Sequence, residues 1–113
     1  MDTLYDTREA LRKIRKAFNL LRREELSVHM RYVCCMSCGA PEVPFFSSLV
    51  FVLREDELAF KATGVLPVHF RGPDSSDRRG TRALGDQVRI ALEMSGLRVD
   101  WSGDPTHAVM VMA

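Results

Sequence analysis

A stripe of apolar residues near the start of the chain has the spacing of one face of an α-helix. The stripe consists of Leu4, Leu11, Ile14, Phe18 and Leu21. Residues three, four or seven positions apart share a helix face. Asp6 and Glu9 have nearly the spacing of a capping box, which predicts a helix start near Thr7. A helix with one apolar face packs on a second layer, so the stripe favours a layered globular domain.

Segments typical of β-strands alternate with the rest of the chain. Strands are predicted at residues 26–35, 48–53, 65–71, 97–101 and 107–112. The last two are joined by the sequence SGDPT, which has the residues of a tight turn and predicts a hairpin. The third contains Pro67, which has no backbone N–H to donate to a ladder. It is therefore predicted to lie at an edge of the sheet.

Two further helices are predicted between these strands. Residues 54–64 indicate a short helix that ends at Gly64, with a loop between two hairpin strands as the alternative. Residues 81–95 form a second amphipathic pattern, on Leu84, Val88 and Leu92. The element order predicts an α+β two-layer sandwich, in which a mainly antiparallel sheet of about five strands is covered by two main helices. The 113 residues should form a single α+β domain, residues 1–113.

Composition excludes several classes of protein. The formal net charge is +1, which gives no general attraction to nucleic acid or to an anionic membrane. No apolar run approaches the roughly 20 residues of a membrane-spanning helix. The N-terminal residues carry charges throughout and do not resemble a secretory signal. Three cysteines without such a signal fit reduced thiols, so a cytoplasmic location is expected.

The cysteines lie within five positions and could form part of a metal site. Cys35 and Cys38 have the C-x-x-C-G form of a zinc knuckle, in which a tight turn brings two thiolates to one ion. Thioredoxin-like redox chemistry is disfavoured, because the prolines that follow exclude the helix that such a site requires. Zinc would need further ligands, for which Cys34, His29, His69 and His107 are the candidates. The alternative is that the thiols are small buried residues and that the protein has no cofactor.

Two groups of basic residues could contact a partner. One is the polar face of the first helix, which includes Arg12, Lys13 and Lys16. The other is the polar loop of residues 72–80, where Arg78 and Arg79 precede the second long helix and could hold an anion. The alternative for both groups is a solvated surface. The helix face lacks interleaved aromatic residues, which argues against binding of single-stranded nucleic acid.

The chain also resembles a known family. The resemblance lies in a C-C-x-x-C-G motif and a C-terminal G-L-x-V-x-W-x-G motif. It is carried by Cys34, Cys35, Cys38, Gly39, Thr81, Gly85, Gly96, Trp101 and Gly103. The sequence is similar to a bacterial family of uncharacterised domains over roughly Phe18 to the C-terminus. The resemblance implies a small cytoplasmic domain, and it supplies no activity, cofactor, partner or catalytic residue.

Three functions follow as hypotheses. The first is a small non-enzymatic module that binds or regulates another macromolecule, with a homodimer formed through its edge strand as one expected assembly. The second is a zinc-stabilised module that uses Cys35 and Cys38 as ligands. The third is a small-molecule enzyme with a site near the 72–80 loop. The sequence predicts no catalytic residue for that enzyme.

Overall fold

The computed structural model describes residues 6–24, 27–30, 48–72 and 78–113. This part of the chain contains three helices and five strands. In chain order they are α1 (Arg8–Arg22), β1 (Ser27–His29), β2 (Leu49–Phe51), α2 (Arg54–Thr63), β3 (Val65–Arg71), α3 (Arg78–Met94), β4 (Arg98–Asp100) and β5 (Val109–Met112).

The five strands form one sheet in the order β1-β2-β3-β5-β4. β1 runs parallel to β2, and every other neighbouring pair is antiparallel. The predicted α+β class and the mainly antiparallel sheet are therefore confirmed. The predicted terminal hairpin is also present, because β4 and β5 pair directly.

The two long helices pack together over the sheet. α1 contacts α3 and β1, whereas α3 contacts β3, β4 and β5. Ile14, Phe18 and Leu21 of the predicted α1 stripe are buried, as are Val88 and Leu92 of α3. The sheet contributes Val28, Val50, Leu66, Val68, Val109 and Val111 to the same core. None of the helices in the described ranges is both long and apolar enough to cross a membrane.

The prediction that β3 lies at an edge was wrong. β3 is the central strand, with β2 on one side and β5 on the other. The Ala113 N–H donates to the Gly64 carbonyl over 2.8 Å. Because hydrogen bonds alternate along an antiparallel ladder, the nitrogen of Pro67 points away from β5. It faces the β2 side, where the ladder stops at the pair Phe51 and His69. The proline is tolerated because β2 and β5 pair with different halves of β3. Neither strand therefore needs a backbone donor at position 67.

Two local predictions can be compared with the helix bounds. The short helix at residues 54–64 is confirmed as α2, which ends at Gly64 with φ 72° and a Gly64 N–H bond to the Phe60 carbonyl. The second amphipathic helix begins at Arg78, three residues before the predicted start. Arg78 and Arg79 therefore belong to the first turn of α3 and not to the preceding loop.

The start of α1 is fixed by Asp6. Thr7 is the N-cap residue, as predicted, but its side chain makes no capping hydrogen bond. Instead, Asp6 Oδ1 accepts a bond of 3.2 Å from the backbone N–H of Arg8. Hydrogen bonds from the side chain and backbone of Arg8 lower the pKa of Asp6 below its ordinary value of 3.8.

This arrangement predicts a pH dependence at the α1 start. The folded pKa of Asp6 is depressed, so its stabilising effect should be present above pH 3.8 and be lost as the pH falls through the folded value. A carboxyl-detected NMR titration should give a midpoint for Asp6 below 3.8. Arg8→Ala should move that midpoint upward. An unchanged midpoint in this variant would contradict the assigned cause.

Candidate functional site

A cleft lies between the first turns of α3 and the loop that joins β4 to β5. Its volume is about 450 Å³. It is lined by Arg79, Arg82, Ser102, Gly103, Asp104 and Pro105. We call it the arginine cleft. One wall is helical and basic, and the other is a turn that contains one carboxylate.

The helical wall presents two arginines to solvent. Arg79 and Arg82 are three residues apart, so they share one face of α3, and both are exposed. Within the described part of the chain, neither side chain has a hydrogen bond or ion pair. Arg89, farther along the same helix, instead pairs with Asp86 at 3.4 Å and with Glu93 at 3.0 Å. Among the residues that the structure describes, the guanidinium groups of Arg79 and Arg82 thus differ from that of Arg89 in having no acceptor.

Side-chain hydrogen bonds order the turn on the other wall. Ser102 Oγ accepts a bond of 3.1 Å from the backbone N–H of Asp104. Asp104 Oδ1 accepts bonds from the Thr106 backbone N–H at 2.8 Å and from its hydroxyl at 2.7 Å. Gly103 lies between them with φ 88°, a backbone conformation that glycine adopts without strain. The local sequence thus specifies the shape of this wall through its own short polar side chains.

The turn also brings a serine, a histidine and an aspartate together. Ser102 Oγ lies 2.9 Å from Nδ1 of His107. His107 Nε2 lies 4.0 Å from Asp104 Oδ2, which is too long for a hydrogen bond. The His107 side chain is 62% exposed. In a nucleophilic site, the histidine that acts as the base is held between the nucleophile and a carboxylate. These contacts close the turn, and they do not reproduce the geometry of a catalytic triad.

Trp101 joins the turn to the body of the protein. Its indole N–H donates to the carbonyls of Asp104 at 3.2 Å and His107 at 3.0 Å. Its ring packs edge-on against Phe70, with centroids 5.8 Å apart. The same ring lies against α3 at Gly85, where an added Cβ would be 2.5 Å from two of its carbons. Helix and turn are therefore held in contact by one side chain, which fixes the distance between the two walls.

The two walls of the cleft differ in charge. Arg79 and Arg82 supply donors and positive charge on the helical side. On the other side, Oδ1 of the Asp104 carboxylate accepts two bonds within the turn.

The predicted contact residues are only partly brought together. Arg79 lies in the arginine cleft, and Arg78 is the first residue of α3. Lys13 of α1 donates a bond of 3.4 Å to the carbonyl of Gly96, just beyond the other end of α3. A helix of 17 residues is roughly 25 Å long. The basic residues of α1, which we call the α1 group, therefore form a surface separate from that of Arg78 and Arg79. The α1 group consists of Arg12, Lys13 and Lys16.

The α1 group is also less available than its sequence suggested. Arg12 donates to Glu9 over 3.3 Å, and Lys13 lies 3.8 Å from the same carboxylate. Lys16 is exposed. The positive charge of two of these three side chains is thus partly offset within the helix. Arg82 was not among the predicted contact residues, although its spacing from Arg79 places both on one helix face.

The zinc prediction concerns residues that the structure does not describe. Cys34, Cys35 and Cys38 lie outside the described residues, so their role as ligands stays a prediction. Elsewhere, His69 Nε2 lies 3.4 Å from Asp56 Oδ2, and the His69 ring stacks on Phe51 with centroids 5.2 Å apart. Among the side chains that the structure describes, no group of three His, Cys, Asp or Glu residues is placed to hold a metal ion.

A family model matches residues 3–113, which is almost the whole chain, and its description is a domain of unknown function (DUF6891). The chain belongs to the DUF6891 family. The predicted membership of a family of uncharacterised domains is thus confirmed. That the two sequence motifs are typical of the family, and that the family is bacterial, stay predictions. Neither a curated protein nor a solved structure matches this DUF6891 domain.

Several residues that carried the resemblance surround the arginine cleft of the DUF6891 domain. Gly85 makes room for the Trp101 ring, and Gly103 lines the cleft itself. Thr81 lies against Gly72, where an added Cβ would be 2.8 Å from its hydroxyl oxygen. Gly96 has φ 91° and follows the end of α3 that lies away from the cleft. Gly85 and Gly103 thus have physical reasons for their positions beside the cleft, whereas Gly96 has one at the opposite end of the helix.

Proposed function

We propose that this DUF6891 domain is a non-enzymatic binding module whose arginine cleft recognises an anionic group on a macromolecular partner. The observation that carries the proposal is the pair of exposed arginines, Arg79 and Arg82, which lack ion-pair partners in the described part of the chain and face an ordered turn. Hydrogen bonds from guanidinium groups to phosphate or carboxylate are charge-assisted and stronger than neutral ones.

The form of the cleft favours a partner that projects one group into it. Its walls are a helix turn and a loop at the surface, and four of its lining residues come from one short turn. A phosphorylated or acidic side chain would place its anion on the two arginines. A single projecting anion can reach Arg79 and Arg82, whereas a uniformly anionic ligand would also meet the Asp104 carboxylate.

A small-molecule enzyme at the same place is the second candidate. The contact that favours it is the 2.9 Å approach of Ser102 Oγ to His107 Nδ1 at the wall of the cleft. In that case the wild-type domain would turn over an anionic ester, and Ser102→Ala would abolish that turnover. A binding module would show no turnover in either form.

The zinc-stabilised module, with Cys35 and Cys38 as ligands, is a proposal independent of the cleft. Native mass spectrometry of the reduced protein tests it directly, since bound zinc adds mass that a chelator removes. A cytoplasmic location agrees with that proposal, because reduced thiols persist there.

The binding proposal predicts a specific loss of affinity. A short phosphoserine peptide should bind the domain, and Arg79→Gln or Arg82→Gln should each weaken its affinity roughly tenfold or more in isothermal titration calorimetry. Each change removes a charged donor from an exposed side chain, so the fold should persist.

Two controls accompany this measurement. The unphosphorylated peptide should bind more weakly than the phosphorylated one. Arg15→Gln, which removes an exposed arginine of α1, should leave the affinity unchanged. Equal losses in all three arginine variants would indicate a general charge effect and would overturn the cleft as the site.

A further inference from the structure

One edge of the sheet is formed by β4, whose three residues are Arg98, Val99 and Asp100. β5 pairs with one side of β4. On the other side, the part of the chain that the structure describes places no strand. An unpaired strand edge can accept a strand of another molecule.

The direction of the backbone groups along this edge can be read from the ladder. The bond from Ala113 to Gly64 makes these two residues a hydrogen-bonded pair between β5 and β3. The direction of the backbone hydrogen bonds alternates along β5. The N–H and C=O groups of Val111 therefore point toward β3, and those of Met110 and Met112 point toward β4. The backbone groups of Arg98 and Asp100 therefore face β5, so the N–H and C=O of Val99 point to the open edge.

The side chains of β4 alternate in the same way. Val99 packs against the core, whereas Arg98 and Asp100 are exposed on the opposite face of the strand. The exposed face thus carries one positive and one negative charge, two residues apart, on either side of the outward-directed backbone of Val99.

We infer that two copies of the chain pair through β4, antiparallel, with Val99 on the twofold axis. This register places Arg98 of each copy opposite Asp100 of the other, and the two Val99 residues exchange both backbone hydrogen bonds. Oppositely charged cross-strand neighbours stabilise a sheet, and like charges destabilise it. A parallel pairing in register would instead set arginine beside arginine and aspartate beside aspartate. The surface is therefore self-complementary in the sense that a twofold interface requires.

The brevity of β4 and its charges also explain why this edge would select one partner. Short, charged edge strands resist pairing with arbitrary strands. A shift of one residue along β4 would direct a charged side chain toward the core side of the second copy. The charge order Arg-Val-Asp thus favours pairing with a second copy in this register and disfavours other registers. The two copies would form one continuous sheet.

The test is a charge swap measured by sedimentation equilibrium. The wild-type chain should show a dimer of twice the 12.8 kDa chain mass. Arg98→Asp sets aspartate opposite aspartate at both symmetry-related positions, so the dimer dissociation constant should rise roughly tenfold or more. The double variant Arg98→Asp with Asp100→Arg restores opposite charges and should restore the wild-type constant.

Arg15→Asp changes the net charge by the same amount on an exposed site of α1 and should leave the dimer intact. A wild-type monomer at about 1 mM, or a double variant that dissociates like the single one, would overturn the inference. Phosphoserine-peptide affinity should be the same in the double variant and the wild type, because β4 charges do not line the arginine cleft.

Discussion

Gly85→Ala should lower the free energy of unfolding by roughly 2–3 kcal/mol, although glycine is the poorer helix former. At an open helix position the same change stabilises a protein by about 0.5–1 kcal/mol. Here the new Cβ would lie 2.5 Å from Cζ2 and Cη2 of Trp101 and 2.8 Å from Cζ of Phe70. The two rings contact each other and the core, so they can yield only by disturbing the packing between α3 and the sheet.

Urea denaturation followed by circular dichroism measures this effect, and Trp101→Leu provides the control. With the smaller side chain at position 101, the added methyl group meets fewer atoms, so the cost of Gly85→Ala should be clearly smaller in that background. A Gly85→Ala protein that is as stable as the wild type, or more stable, would show that α3 does not depend on this close approach.

Trp101→Ala should lower the free energy of unfolding by about 3 kcal/mol and should also weaken ligand binding at the arginine cleft. The substitution removes the ring that packs against Phe70 and α3. It also removes the N–H that donates to the carbonyls of Asp104 and His107. The turn would keep its internal hydrogen bonds and lose its attachment to the helix.

Trp101→Phe separates the two contributions. It retains an aromatic ring next to Phe70 but loses the N–H donor and part of the ring contact with α3 at Gly85, so its cost should be smaller than that of Trp101→Ala, about 1–2 kcal/mol. Stability comes from denaturation curves and affinity from titration with the phosphoserine peptide. If Trp101→Ala changed neither quantity, the attachment of the turn through Trp101 would be wrong.

Much of the fold followed from local patterns. The α1 and α3 stripes have helical spacing, and their central residues Ile14, Phe18 and Val88 are buried as expected. β3 has the bounds that the pattern indicated, Val65–Arg71, and Gly64 ends α2. These features depend on contacts within a few residues or on the period of one element, and both are visible in a single sequence.

The errors share a different physical origin. The sequence predicts an edge position for Pro67 because proline lacks a backbone N–H donor. Whether a neighbouring strand needs that donor depends on the lengths and registers of β2 and β5. The arginine cleft joins residues of α3 to residues of the β4–β5 turn. Their approach depends on where Trp101 packs, which is a property of the folded chain. The sequence indicated Arg79 as a candidate contact residue. It could not show that Arg79 lies close to Ser102 and Asp104.

The most direct test of the arginine cleft is an NMR titration of the ¹⁵N-labelled wild-type domain with the phosphoserine peptide. The amide signals of Arg79, Arg82 and Gly103 should shift most, together with the Trp101 indole N–H, whose two acceptors belong to the turn. Signals of the α1 group at Arg12 and Lys16 should stay in place, because that surface lies toward the other end of α3. Shifts confined to α1, with Gly103 and the indole unchanged, would contradict binding at the arginine cleft and would assign it to the polar face of α1.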